Sequence, residues 1–259
     1  MAIAQSDICV ICSEHLNHYL SIKQLFIFRP LTFPILCQTC QSKFKLLVTQ
    51  ADDCKGCGRP LDASSKDVFL KPIVISQQAY CFDCANWHKN TPSQLISHQA
   101  LFDYNEAMQE WIVNYKYHGD VRMAAILSPY LKEVYLEYKD YQWVVLSSSP
   151  SSLKTRQFHP TAYLLDVADI PYQVPFDYIG DGVKQAKKSK KERLNLNNTF
   201  KIKEEALDLS KENWLIFDDI YTTGATLIHA KKILYQFYKE RDRIIRLVSV
   251  SVARDQLSK

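Results

Sequence analysis

Glycine is scarce in this chain, 6 in 259 residues, so each glycine at a turn carries information. Long apolar runs are scarcer. The most apolar stretch, LFIFRPLTFPIL at 25–36, is broken by Arg29, Pro30 and Pro34, and a bilayer span needs about 20 consecutive apolar residues. The beginning, MAIAQSDICVIC, has no basic segment followed by an apolar one, so no secretory signal of the usual form is expected. These absences predict a soluble, cytoplasmic protein, with a peripheral membrane position left open through a partner. Cysteine is missing after position 84, and internal repeats are missing apart from a doubled cysteine pattern. Disorder is excluded by what is present: 47% hydrophobic residues, 23% charged residues and ample Tyr, Phe and Leu. The length suits one large domain or two modest ones.

The 8 cysteines stand at 9, 12, 37, 40, 54, 57, 81 and 84, all in C-x-x-C pairs. In a reducing cytosol disulfides are disfavoured, and paired thiols at this spacing read as zinc ligands. Cys9, Cys12, Cys37, Cys40, Cys54, Cys57, Cys81 and Cys84 are therefore the expected ligands of one or two zinc ions. Sequential pairing is the simplest arrangement, and an interleaved one also satisfies the spacing. Four sulfurs per ion leave no open position, so the role is structural. His15, His18 and His88 are alternative ligands that a full cysteine set makes unnecessary. Gly56 and Gly58 permit a tight turn around the metal. The segments between the knuckles have little apolar periodicity, and structural zinc contributes about 10–16 kcal/mol to such small regions. Residues 1–95 are expected to form a double zinc-finger region, with a second domain over 96–259. The formal net charge is +4. Two loaded four-cysteine sites, at about −2 each, would cancel it, so a nucleic-acid role has to rest on local patches.

Residues 91–103 read as a join. Met108, Trp111, Ile112 and Tyr115 then recur at helical spacing, with Lys116 and His118 in the last turn before Gly119. A second helix is expected over 121–138, another over 155–168 and a third around Leu227–Tyr238. Trp143–Leu146 and Trp214–Phe217 are short, wholly apolar runs that predict buried strands. Further strands are expected at Tyr172–Tyr178 and Ile244–Val252, and a polar loop at 180–198. Alternating strands and helices predict an α/β fold with a mainly parallel sheet covered on both faces.

The most specific stretch runs Leu215-Ile216-Phe217-Asp218-Asp219-Ile220-Tyr221-Thr222-Thr223-Gly224-Ala225-Thr226. A strand ends in two carboxylates, a turn of small residues follows, and a helix begins. The first amides of a helix lack partners within it, and the helix dipole favours an anion there. Thr222, Thr223 and Thr226 add hydroxyls, and Gly224 lets backbone approach a phosphate. Asp218 and Asp219 suit sugar hydroxyls or a Mg2+ ion instead. A capping threonine on an ordinary turn is the plain alternative. The acidic doublet makes a 5′-phosphorylated ribose the better reading.

That stretch resembles the motif with which type I phosphoribosyltransferases bind phosphoribosyl pyrophosphate (PRPP). The resemblance implies that Asp218 and Asp219 hold the ribose hydroxyls and that Thr222, Thr223, Gly224, Ala225 and Thr226 bind the 5′-phosphate. More of the chain is similar to one branch, the ComF family. Asn114-Tyr115-Lys116-Tyr117-His118-Gly119-Asp120 resembles its L-K-F-x-G-D segment. Gln185 to Arg193 with Leu194 resembles its Q-x-x-L-S-R-x-E-R-L segment, and the paired cysteines resemble its zinc region. After the first core strand the family carries R-x-R-G-F-N-Q. Here Lys154-Thr155-Arg156-Gln157-Phe158-His159-Pro160 keeps the basic pair and replaces Gly, Asn and Gln. Ser148 in the preceding loop, with Lys154 and Arg156, would face the pyrophosphate.

Lys184, Lys187, Lys188, Lys190, Lys191 and Arg193 crowd one segment, opposed only by Glu192. Three readings stand side by side: a loop closing over PRPP, a solvated charge run, and a contact to DNA phosphates. Tyr115 and Tyr117 are candidate stacking residues for bases, with core packing preferred for Tyr115. The family resemblance implies a competence factor in DNA uptake that handles single-stranded DNA with the helicase-like ATPase ComFA and binds PRPP with Mg2+. An active phosphoribosyltransferase on an unidentified acceptor is the alternative.

Overall fold

The computed structural model describes residues 7–16, 34–90, 95, 97–179 and 200–255. In chain order the elements are α1 (Gln38–Gln41), β1 (Ile73–Ile75), β2 (Gln78–Tyr80), α2 (Phe82–Asn90), β3 (Ser97–Asp103), α3 (Glu106–Lys116), α4 (Ala124–Glu137) and β4 (Gln142–Val145). There follow α5 (Pro150–Arg156), α6 (Pro160–Val167), β5 (Phe176–Tyr178), β6 (Phe200–Ile202), β7 (Asn213–Tyr221), α7 (Ala225–Lys239) and β8 (Arg246–Arg254). Strands β3, β8, β7 and β4 form a parallel sheet in that order, while β1–β2 and β5–β6 pair antiparallel.

Alternation along β7 builds two cores. Leu215 and Phe217 join Met108, Trp111, Leu131 and Trp143 on one face. Trp214 and Ile216 join Val144, Leu234 and Tyr238 on the other. Successive residues of a strand point to opposite faces, so two buried layers from one apolar run require cover on both sides. The helices supply it, as the α/β expectation required. The cysteine regions join the same cores. Cys9 and Cys40 pack into the first cluster, and Cys54, Cys57, Cys81 and Cys84 into the second.

Two readings change. The join at 91–103 contains β3, which pairs with β8 from Ser97↔Val248 to Asp103↔Arg254. Its buried polar residue is satisfied across the sheet: the His98 ring lies 2.8 Å from Ser249 Oγ and 3.1 Å from Ser251 Oγ. The helix expected over 155–168 is two helices, broken at Gln157–His159. Gln157 takes φ 64°, the left-handed conformation, at the position where the family pattern has glycine. His159 caps α6: its Nδ1 accepts from the Ala162 amide at 3.2 Å, and its Nε2 donates to the Leu146 carbonyl at 3.0 Å. The replaced residues thus tie α6 to the loop after β4. Gln157→Gly removes the steric cost of a left-handed non-glycine residue and is expected to stabilise the protein by about 1 kcal/mol. Thermal denaturation checks it, and an unchanged or lower midpoint would count against the strain.

Candidate functional site

The cavity lies beyond the carboxyl ends of β4 and β7, where open parallel sheets place their ligands. Its volume is about 470 Å³. Asp218 and Asp219 reach it from the end of β7. Thr222, Thr223, Ala225 and Thr226 line it from the turn into α7, Ser147–Ser149 from the loop after β4, and Arg156 from the end of α5. The structure therefore brings the acidic pair, the turn, Ser148 and Arg156 onto one concavity. Gly224 is buried just behind the lining, and Lys154 points outward, exposed on α5. Lys187, Lys188, Lys190 and Arg193 lie outside the described residues, as do Lys184 and Lys191.

The turn owes its shape to what lies beneath it. Gly224 has φ 74°, and a Cβ there would meet the Tyr221 hydroxyl at 2.5 Å. Any side chain would therefore push the turn off Tyr221. The Tyr221 ring stacks on His98 with centroids 4.0 Å apart. Trp87, on the same helix as Cys84, donates its indole N–H to the Thr223 carbonyl at 3.3 Å. The phosphate-type turn thus rests directly on the second cysteine region.

Lys116, at the end of α3, forms an ion pair with Asp219. The sequence offered a signal for it, since Lys116 sits in the family-like 114–120 segment, but its partner is far along the chain. Burial alone would push the Asp219 carboxyl up. The Lys116 ammonium, the Ile220 amide at 2.7 Å and the Arg156 charge outweigh it and hold the group below the ordinary carboxylate value. Asp218 goes the other way, pushed up to about 7 by burial and then by the Asp219 charge. The two neighbouring carboxylates thus have separated affinities for protons.

Breaking the pair by Lys116→Met leaves Asp219 unpaired at 15% exposure. We expect a loss of about 3 kcal/mol near neutral pH. Asp219 has a lowered folded value, so its contribution is present above the unfolded value near 4 and fades as pH falls through the folded one. The variant and the parent should therefore converge in strongly acidic solution. Chemical denaturation at pH 7 and pH 3 reads this. A gap that widens in acid would refute the pairing.

The cysteines form two groups, Cys9–Cys12–Cys37–Cys40 and Cys54–Cys57–Cys81–Cys84, each with its sulfurs within 4.8 Å of one another. The pairing is sequential. His15 and His88 belong to neither group, and His18 lies outside the described residues. The donor chemistry fits a thiophilic dication such as zinc. In the second group, hydrogen bonds from Cys57, Cys81 and Cys84 pull the Cys54 thiol down, and sharing with Cys54 pushes Cys57 and Cys84 up. Four thiolates so close need a cation to coexist. Their surroundings are cationic as well. Arg59 and Arg254 are buried beside the group, and Arg254 donates to the Cys57 carbonyl at 2.9 Å. Arg59 Nε and Nη1 and Arg254 Nε have no hydrogen-bond partner among the described residues, as suits guanidinium groups set against a net negative cluster. Cys12 of the first group is exposed.

Fold and site together define a class: an α/β protein on a parallel sheet, stapled by two four-cysteine groups, with an acidic pair and a helix-opening turn on one cavity. No family model matches the chain. Among curated proteins, the competence protein ComFC of Streptococcus pneumoniae is 31% identical over 228 residues, covering 87% of this chain and 92% of its own. The competence protein ComFC of Bacillus subtilis is 28% identical over 234 residues, covering 88% and 89%. The chain belongs to the ComFC family of competence proteins. None of the described helices is long and apolar enough to cross a membrane.

Proposed function

We propose that this chain serves DNA uptake in natural transformation, handling incoming single-stranded DNA beside a ComFA-like ATPase, and that its cavity binds PRPP. The observation that carries the ligand is the meeting of Asp218, Asp219 and the 222–226 turn on one cavity. The turn and the first amides of α7 suit the 5′-phosphate. The carboxylates suit the ribose hydroxyls and a Mg2+ ion held with the diphosphate. Ser148 and Arg156 line the same cavity and suit the pyrophosphate end. The zinc regions, as residues 1–95, are the proposed docking module for the ATPase. The basic segment at 184–193 supplies the proposed contact to DNA phosphates.

Calorimetry of the metal-loaded protein with PRPP and Mg2+ tests the ligand, and saturable binding is expected. No heat at any concentration would remove the ligand from the proposal. Gel shifts with single-stranded DNA test the strand, with affinity falling steeply as salt rises. Absence of binding at low salt, together with normal transformation after deletion, would remove the uptake role. Turnover on an acceptor is the second reading. It is favoured by the Ser147–Ser149 loop sharing the cavity with the phosphate-type turn, and pyrophosphate release in the presence of candidate bases tests it.

A further inference from the structure

The two cysteine groups have the same ligand count and the same sulfur spacing. Cys12 Sγ lies 3.7 Å from Cys37 Sγ in the first, and Cys57 Sγ lies 3.7 Å from Cys81 Sγ in the second. Their surroundings differ. Every cysteine of the second group is buried, and so are the guanidinium groups of Arg59 and Arg254 beside it. An ion on four thiolates leaves a charge of about −2, which two guanidinium groups cancel. In the first group Cys9 and Cys40 are buried, but Cys12 is exposed and Cys37 is half-buried. The neighbour recorded at its open edge is a carboxylate, with Glu14 Oε2 3.9 Å from Cys12 Sγ. A negative neighbour makes a thiolate more basic, and nucleophilicity rises with basicity. One group is thus shielded and neutralised, and the other is open on its anionic side.

We infer that Cys12 and Cys37 form an oxidation site for peroxides, where a disulfide replaces two metal ligands while the second group keeps its ion. This rests on both groups being metal-loaded. Exposure and thiolate character select a cysteine for such oxidation, and a second thiol within reach resolves it. Cys12 Sγ attacks one peroxide oxygen. The O–O bond breaks, a sulfenic acid forms on Cys12, and hydroxide leaves with the electron pair. Cys37 Sγ then attacks the Cys12 sulfur, the S–S bond forms, and a second hydroxide departs. The two sulfurs together lose two electrons, and the peroxide gains both. A dithiol reverses the step by exchange. Cys9 and Cys40 alone are too few for a closed four-sulfur site. The effect stays on one side of the sheet. Cys9 and Cys40 pack with Leu36, Phe44 and Met108, and the nearby Lys43 carbonyl accepts from the Asn105 side chain at 2.8 Å, at the start of α3. The turn at 222–226 rests on the other group.

The experiment adds hydrogen peroxide stepwise to the zinc-loaded full chain. A chromophoric chelator reads the zinc released, and peptide mapping by mass spectrometry locates the disulfide. One of the two bound ions should leave, and a Cys12–Cys37 disulfide should appear in step with it. Dithiothreitol with fresh zinc should restore the full content. Hydrogen exchange should rise over 7–16 and 34–47 and stay unchanged at 222–226. Release of both ions together, a disulfide within 54–84, or retention of both ions overturns the site. An arm with chelator and no peroxide separates oxidation from weak binding. Equal zinc release in that arm means that the first group merely holds its ion loosely, and the oxidation site is overturned. A chain that takes up one zinc ion from the outset shows instead that the metal reading of one group has failed.

Discussion

Cys84→Ala is expected to abolish PRPP binding, although Cys84 does not line the cavity. The second cysteine group underlies the turn at 222–226 by two routes. Trp87, on the helix that carries Cys84, holds the Thr223 carbonyl. Tyr221, under Gly224, stacks on His98, whose amide in turn donates to the Gly56 carbonyl at 2.8 Å. Gly56 itself lies against the sulfur, since a Cβ there would meet Cys84 Sγ at 2.7 Å. Structural zinc contributes about 10–16 kcal/mol, as much as or more than the net stability of a typical domain. Losing a ligand should therefore loosen the whole layer beneath the turn. Hydrogen exchange should rise at 222–226, and calorimetry with PRPP should fall silent. Cys12→Ala gives the contrast, because that cysteine is exposed and its group packs against the other face of the sheet. It should lose far less. Trp87→Phe separates support from folding. Removal of one neutral hydrogen bond is expected to weaken PRPP binding by about 2- to 12-fold with metal content unchanged. Full affinity in both Cys84→Ala and Trp87→Phe would show that the turn stands without the metal layer.

The acidic pair carries the other large effect. Asp218→Asn combined with Asp219→Asn is expected to weaken PRPP binding by about 10²- to 10⁴-fold, from two charge-assisted contacts at about 1.5–3 kcal/mol each. The pH dependence gives a sharper test, because stability and binding should run in opposite directions. Asp218 is pushed up to about 7 by burial and the Asp219 charge. Between the unfolded value near 4 and that value, the folded chain keeps a proton that the unfolded chain has lost. Asp218 therefore costs stability as pH rises from about 4 to 7, by on the order of 2–4 kcal/mol before screening. Asp218→Asn should remove this fall and melt higher than the parent at pH 8. Binding of PRPP with its cation wants the ionised form, so affinity should strengthen as pH rises to 7 and then level. A flat affinity from pH 6 to pH 8 would mean that Asp218 does not meet the ligand.

Much of the site was legible because its signals are local. Two carboxylates after an apolar run, and threonines around a glycine, sit within a dozen residues. The cysteine pairs are legible for the same reason, since ligand spacing is a property of one turn. What was not legible depends on contacts between distant segments. Strand β3 reads S-H-Q-A-L-F-D, a weak pattern on its own, and becomes a strand because Ser249 and Ser251 on β8 take up His98. Lys116 reads as a charge at a helix end until Asp219 arrives beside it from β7. The helix break at Gln157 had a local signal in Pro160, which opens α6 and cannot continue a helix from 155. His159 sets it by reaching back to Leu146.

By itself, then, the sequence determined which groups are present and how they are spaced along short stretches: eight thiols in four knuckles, two buried strands, and an acidic doublet ahead of a turn. Only the tertiary structure decided which knuckles come together, which cation answers Asp219, which tyrosine faces solvent, and that one cysteine group supports the turn at 222–226. The division is physical. Spacing within a turn or strand is set by local backbone geometry. Pairing across the sheet is set by burial and charge between residues that the chain brings together only when it folds.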